Sequence, residues 1–156
     1  MNNELDAIEP WLADLASNLE PRARKRLATK IGQAIRRSNS GRIARNEEPD
    51  GTAMAARKPR MSGKSGRIKR RGKMFRKIRL VRNMKLRADP DGVEIYFGSK
   101  SISRVAAEHH YGSTGRVGNT RDGRTIRAKY EARRLLGFGR DDRDAALDAA
   151  AKHLAE

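Results

Sequence analysis

The chain has 156 residues, the length of one ordinary domain with a single modest core, and no cysteine, which excludes a disulfide framework and a thiolate metal site. Lys and Arg number 36 against 19 Asp and Glu, a formal net charge of +17, so acidic partners are expected, either nucleic acid or an acidic protein face. The start MNNELDAIEPW lacks a secretory pattern and no apolar run is long enough to cross a membrane, so the expectation is a soluble protein made in the cytoplasm.

Residues 5 to 19 place Leu5, Ile8, Trp11, Leu12, Leu15 and Leu19 at spacings of three and four, the stripe of an amphipathic helix. Asp6 and Glu9 suit a capping box, with Pro10 in the first turn. Pro21 opens a second helix whose Leu27, Ile31, Ala34 and Ile35 recur through a basic surface, continuing to about Arg45. Pro49, Asp50 and Gly51 then predict a turn.

No acidic residue occurs from Gly51 to Ala88. The first part of that stretch, residues 51–73, carries Arg57, Lys58, Arg60, Lys64, Arg67, Lys69, Arg70, Arg71 and Lys73 among Gly, Ser and Pro, and reads as an extended basic arm or loop that orders on a partner. Met74, Phe75, Ile78 and Leu80 mark a short helical or turn segment returning to the core.

Met84, Leu86 and Ala88 alternate with Lys85 and Arg87, and Val93, Ile95 and Phe97 with Glu94 and Tyr96, across Asp89-Pro90-Asp91-Gly92, a β-hairpin pattern. Ser101 is expected to cap a helix carrying Ile102, Val105, Ala106 and His109 and stopping at Gly112. Residues 112 to 123, with four glycines, read as a loop, Thr125 to Arg127 as a brief strand, and Arg140 to Glu156 as a closing amphipathic helix.

The inventory for chemistry is poor. His109, His110 and His153 are the only histidines, no carboxylate cluster accompanies the adjacent pair, and neighbouring helical residues point about 100 degrees apart. The pair is therefore read as one packed and one surface histidine, and no catalytic, cofactor or metal site is expected. The glycines of 112–123 lack the spacing of a phosphate-binding loop, and Lys64-Ser65 follows Gly63 alone. The basic arm supports two readings, contact with acidic protein faces and neutralisation of phosphates, and Phe75 is its single stacking platform.

Taken in order, several stretches resemble the phage virion morphogenesis or tail completion family. They are Glu9-Pro10-Trp11-Leu12, Ile35-Arg36-Arg37-Ser38 with Arg42-Ile43, Pro49-Asp50-Gly51-Thr52, Arg57-Lys58-Pro59 and Met74-Phe75-Arg76-Lys77. Ile102-Ser103-Arg104-Val105-Ala106, His109 to Gly112 and Ala132-Arg133-Arg134-Leu135-Leu136-Gly137-Phe138 complete the series over almost the whole chain. Glu131 and Arg134 depart from it, where proline commonly flanks the Ala-Arg pair, as does Gly139, where a Ser or Thr cap is common.

The resemblance implies a tail terminator-like α+β subunit, with N-terminal helices, a small antiparallel sheet with a hairpin, a packed helix and a C-terminal helix in one domain. It implies a non-enzymatic ring subunit, a hexamer, that caps the tail tube at the head-proximal end of the virion tail and prepares it for head-tail joining. Its partners would be tail tube, sheath or neck and connector proteins, with DNA contact an open possibility and no membrane involved. The expected interface is Arg57, Lys58, Arg60, Arg67, Lys69, Arg70 and Arg71 for charge, with Met74, Phe75 and Ile78 as the anchor. The alternative is a non-specific nucleic-acid-binding protein that uses the same arm.

Overall fold

The computed structural model describes residues 19–56 and 74–154, together with Pro10 and Ala13. The N-terminal apolar stripe, apart from Leu19, and residues 57–73 of the expected arm lie outside the described residues. The described elements are helix α1 (Pro21–Arg45), strands β1 (Met84–Ala88) and β2 (Val93–Phe97), helix α2 (Lys100–His110), strands β3 (Thr114–Asn119) and β4 (Thr125–Lys129), and helix α3 (Arg140–Leu154). The strands form two separate two-stranded sheets, β1 with β2 and β3 with β4, so the fold is α+β as expected. No described helix is long and apolar enough to cross a membrane.

Helix α1 begins at Pro21, as the sequence predicts, because proline at the first helical position gives up only an N–H that has no helical partner. Leu27, Ile35, Asn39 and Ile43 are buried, with Ile31 half-buried between them, a row at spacings of four that winds slowly around the helix. Arg42 and Arg45 occupy its last turn, where cations complement the helix dipole. Asn46 then turns left-handed at φ 59°, and the bonds Asn46 N to Ile43 O (3.2 Å) and Glu47 N to Arg42 O (3.0 Å) close a Schellman cap.

The described chain divides into two compact units. The first comprises residues up to Ser38, Lys85–Tyr96 and Phe138 onward. Here the hairpin turn is fixed by the Asp89 carboxylate, which accepts from the N–H groups of Asp91 and Gly92, both at 2.9 Å. Gly32 of α1 lies close against the hairpin: a Cβ built there would lie 2.4 Å from Val93 Cγ2 and 2.6 Å from Leu86 Cδ1. Helix α3 lacks a Ser or Thr cap, and Asp142 in its first turn makes the other half of a capping box, its Oδ2 accepting from Gly139 N–H at 2.6 Å.

Gly32 and Gly41 offer a matched test within one helix. Glycine to alanine normally stabilises a helix interior by about 1 kcal/mol. At Gly41 the nearest atom to a new Cβ is the flexible tip of Arg45 at 3.4 Å, so Gly41→Ala is expected to raise stability by up to that amount. At Gly32 the stiff Val93 cannot withdraw, and Gly32→Ala is expected to cost about 1 to 3 kcal/mol despite the better propensity. Urea midpoints of the two variants, moving in opposite directions, check this.

The second unit comprises Asn39–Met84 and Phe97–Gly137. Its fully buried side chains include Ile43, Met84 and Leu135. The Met74–Leu80 stretch forms turns, with Ile78 buried. Two expectations need correction here. Helix α2 is capped by Ser99, not Ser101: Ser99 has the extended backbone of a cap, and its hydroxyl accepts from Ile102 N at 3.3 Å. Residues 112–123 are not a loop throughout, because Thr114–Asn119 pairs with Thr125–Lys129 as a strand. The strand passes close against α2, where a Cβ at Gly115 would fall 2.3 Å from the Glu108 carboxylate carbon, so the glycine that suggested a loop is the residue that lets the strand approach. Gly112, left-handed at φ 67°, follows α2 as expected.

Candidate functional site

In the second unit, residues on either side of the basic stretch 57–73 are tied to one node. Leaving α1, the chain makes a tight reversal in which Glu47 bridges Ala53 and the bonds Glu48 N to Thr52 O (2.8 Å) and Met54 N to Asn46 O (2.7 Å) hold the two limbs. The Pro49-Asp50-Gly51 turn expected from sequence is its tip. Asp50 accepts from both the N–H and hydroxyl of Thr52, and these bonds, followed by the nearby Arg134 charge, hold its carboxyl below the usual carboxylate range.

The irregular stretch between β4 and α3 supplies the node itself. Arg133 is 4% exposed, and its guanidinium reaches back across the sequence: Nε donates to Ala55 O at 2.7 Å and Nη2 to Ala56 O at 2.9 Å. Nη1 donates to Glu131 O at 3.1 Å and approaches His109 Nδ1 at 3.4 Å, while Arg133 N donates to His109 O at 2.7 Å. A planar fork with five donors suits this work, since it satisfies several carbonyls at once from one side chain. The His109 ring in turn lies 4.9 Å from Phe75, edge-on, and 4.4 Å from Tyr130. Phe75 takes a left-handed backbone at φ 57°, unusual for a bulky residue and held there by its surroundings. Ala55 and Ala56 before the basic stretch, and Phe75 after it, therefore share the His109–Arg133 pair.

Beside this node Arg134 binds the reversal, donating from Nε to Glu48 at 2.8 Å and from Nη2 to Asp50. Such an exposed tie contributes modestly to stability.

Of the residues expected at an interface, Arg57, Lys58, Arg60, Arg67, Lys69, Arg70 and Arg71 lie outside the described residues. Met74 and Phe75 are half-buried and Ile78 is 8% exposed, so Ile78 serves the core of its own unit. Arg133 and His109 carry the geometry; sequence reasoning gave Arg133 no role and His109 only a place in the predicted helix. One signal was available for Arg133, its place in the Ala-Arg-Arg-Leu-Leu-Gly-Phe stretch of the family resemblance.

The expectation of one packed and one surface histidine is also corrected, since both are half-buried. His110 Nδ1 accepts from Leu135 N at 3.2 Å, which requires a bare ring nitrogen. Burial first, then the Arg134 charge, lowers the His110 pKa below its ordinary value, against an opposing pull from Glu48. Among the described residues no group of three or more His, Cys, Asp or Glu side chains could hold a metal ion.

The sign of the His110 effect follows from linkage. A base whose folded pKa is depressed binds its proton more readily when unfolded, so its contribution is intact above the ordinary value near 6.5 and declines as pH falls toward the folded pKa. Unfolding by urea at about pH 7.5 and 5.5 is expected to reveal a loss of stability in acid that is smaller in His110→Gln, which has no proton to gain.

The profile of the phage virion morphogenesis family matches residues 3–155. The chain is similar to Tail completion protein S of Escherichia phage P2, 34% identical over 141 residues that cover 90% of each chain. No solved structure matches significantly. The match extends through both compact units, so its evidence bears on the chain as a whole: it belongs to the phage virion morphogenesis family.

Proposed function

We propose that the chain is a structural, non-enzymatic tail completion protein, a ring subunit that caps the finished tail tube at its head-proximal end and prepares it for head-tail joining. The observation that carries this reading is the similarity to Tail completion protein S along 90% of both chains. In the proposed assembly residues 51–73 are the basic arm of a single-domain subunit. Arg57, Lys58, Arg60, Arg67, Lys69, Arg70 and Arg71 meet acidic faces of a neighbouring subunit, the tail tube, or a sheath or neck protein, with Met74, Phe75 and Ile78 at the arm's root. The tie of Ala55, Ala56 and Phe75 to the His109–Arg133 node supports this, because a contact segment fixed at both roots has less freedom to lose on docking. The ring is proposed to be a hexamer, synthesised in the host cytoplasm and incorporated into the virion.

The test is the mass of the purified full chain by sedimentation, alone and with tail tube protein. Closed rings or tube-dependent assembly are expected, and a variant with Arg67, Lys69, Arg70 and Arg71 changed to Ala is expected to lose assembly at physiological salt. A monomer that ignores the tube overturns the reading.

A further inference from the structure

The β3–β4 ribbon is a second basic element, separate from residues 57–73. Its register pairs Thr114 with Lys129, Gly115 with Ala128, Arg116 with Arg127, Gly118 with Ile126 and Asn119 with Thr125, and the shift between Arg116 and Gly118 makes Val117 the extra residue of a bulge. Strand alternation then sorts the side chains. Gly115, Ala128, Gly118 and Ile126 share the face that meets α2, consistent with Gly115 against Glu108 and with the partial burial of Ala128 and Gly118. Thr114, Lys129, Arg116, Arg127, Asn119 and Thr125 share the other, and all six are exposed.

That outer face is built against its own stability. Arg116 and Arg127 sit directly opposite, a like-charge pair that disfavours the ribbon, and Lys129 is the next residue along the same face. No carboxylate among the described residues forms an ion pair with Arg116, Arg127 or Lys129, and Arg116 donates instead to the neutral Asn119 at 2.9 Å. Two more cations, Arg121 and Arg124, lie at the turn, where Asp122 pairs with Arg124. The repulsion is relieved when an external anion lies across the face.

We infer that the outer face of the β3–β4 ribbon binds the phosphate backbone of duplex DNA without sequence preference, through Arg116, Arg127 and Lys129. A polyanion fits better than an acidic protein because the face offers only cations, hydroxyls and an amide, the groups that contact phosphate, and no apolar anchor. The exposed apolar residues of the ribbon, Val117 and Ile126, belong to the bulge and to the other face. A two-stranded ribbon is also narrow enough to enter the major groove. DNA binding by this face does not depend on ring formation.

The test is fluorescence anisotropy of a labelled duplex of about 20 base pairs with the full chain, at several salt concentrations between about 50 and 200 mM. Arg116→Gln/Arg127→Gln/Lys129→Gln is expected to reduce the slope of log affinity against log salt by about 2 to 3, close to one unit per lost phosphate contact. Arg127→Glu separates binding from folding: a glutamate opposite Arg116 replaces repulsion with attraction, so the ribbon folds at least as well while DNA affinity falls at least tenfold. The Arg67/Lys69/Arg70/Arg71→Ala variant, measured in parallel, should retain the part of the salt slope that the ribbon triple variant loses. A wild-type slope in the triple variant, unchanged affinity in Arg127→Glu, or no DNA binding by the unaltered chain overturns the inference. So does a triple variant that keeps DNA binding but no longer binds tail tube protein, which would make the face a protein contact.

Discussion

Arg133→Ala is expected to destabilise the second unit by roughly 3 kcal/mol. The side chain is 4% exposed and donates to the carbonyls of Ala55, Ala56 and Glu131, so its removal loses three charge-assisted hydrogen bonds together with the packing of a buried stem. Against a total stability of about 5 to 15 kcal/mol, that shift should be plain in a urea midpoint. Arg133→Met keeps the apolar stem and loses only the donors, and is expected to recover the packing part alone. Arg133→Lys keeps the charge but carries its donors at one point, so it cannot span the three carbonyls and should fall between wild type and alanine. Equal midpoints for Arg133→Ala and wild type would mean that the guanidinium does not hold the roots of residues 57–73. Under the proposed function the same variant should also weaken assembly with tail tube protein at temperatures where it remains folded, because the flanks of the contact segment lose their anchor.

The elements that were legible in the sequence are those whose signals are local. Pro21 and the row of apolar residues spaced by four announce α1, and alternation on both sides of Asp89-Pro90-Asp91-Gly92 announces the first hairpin. Strand β3 was not legible, because Val117 is the one large apolar residue in Thr114–Asn119 and a bulge takes it out of alternation. What makes that stretch a strand is its partner β4, and pairing overrides a poor local preference. Ser99 and Ser101 are equally good caps on paper, and only the extended backbone at Ser99 decides between them.

The node failed to show for a different reason. In a chain with 36 Lys and Arg, the two cations of Ala132-Arg133-Arg134-Leu135 look alike. One is buried under partners 77 and 78 residues away, while the other ties an exposed turn. Sequence spacing carries no record of that difference, since it arises from long-range contacts between irregular segments. The family was legible nonetheless, because the order of several weak motifs along the chain is informative even where no single one is.

Asn39→Leu is expected to cost about 2 to 4 kcal/mol, and the reason lies in who depends on its side-chain carbonyl. Asn39 is 2% exposed, and its Oδ1 accepts both from Arg42 Nη2 at 2.9 Å and from Gly137 N at 3.2 Å. Arg42, itself 7% exposed, also donates to Gly137 O at 2.7 Å, so one asparagine and one arginine satisfy both polar groups of the Gly137 backbone. Leucine fills the volume but leaves the half-buried Gly137 N–H and part of a buried cation without this acceptor, which is costlier than never having placed them there. Asn39→Asp keeps an acceptor for both donors and adds charge attraction to Arg42, so near neutral pH it should be close to wild type. The attraction would depress the aspartate pKa, making its contribution present above the ordinary value near 3.9 and lost as pH falls through the depressed one. Arg42→Leu removes the cation that Asn39→Leu strands, so the double variant should lose less than the sum of the two single ones. Strict additivity across that cycle would show that Asn39 and Arg42 act independently, and the joint hold on Gly137 would have to be abandoned.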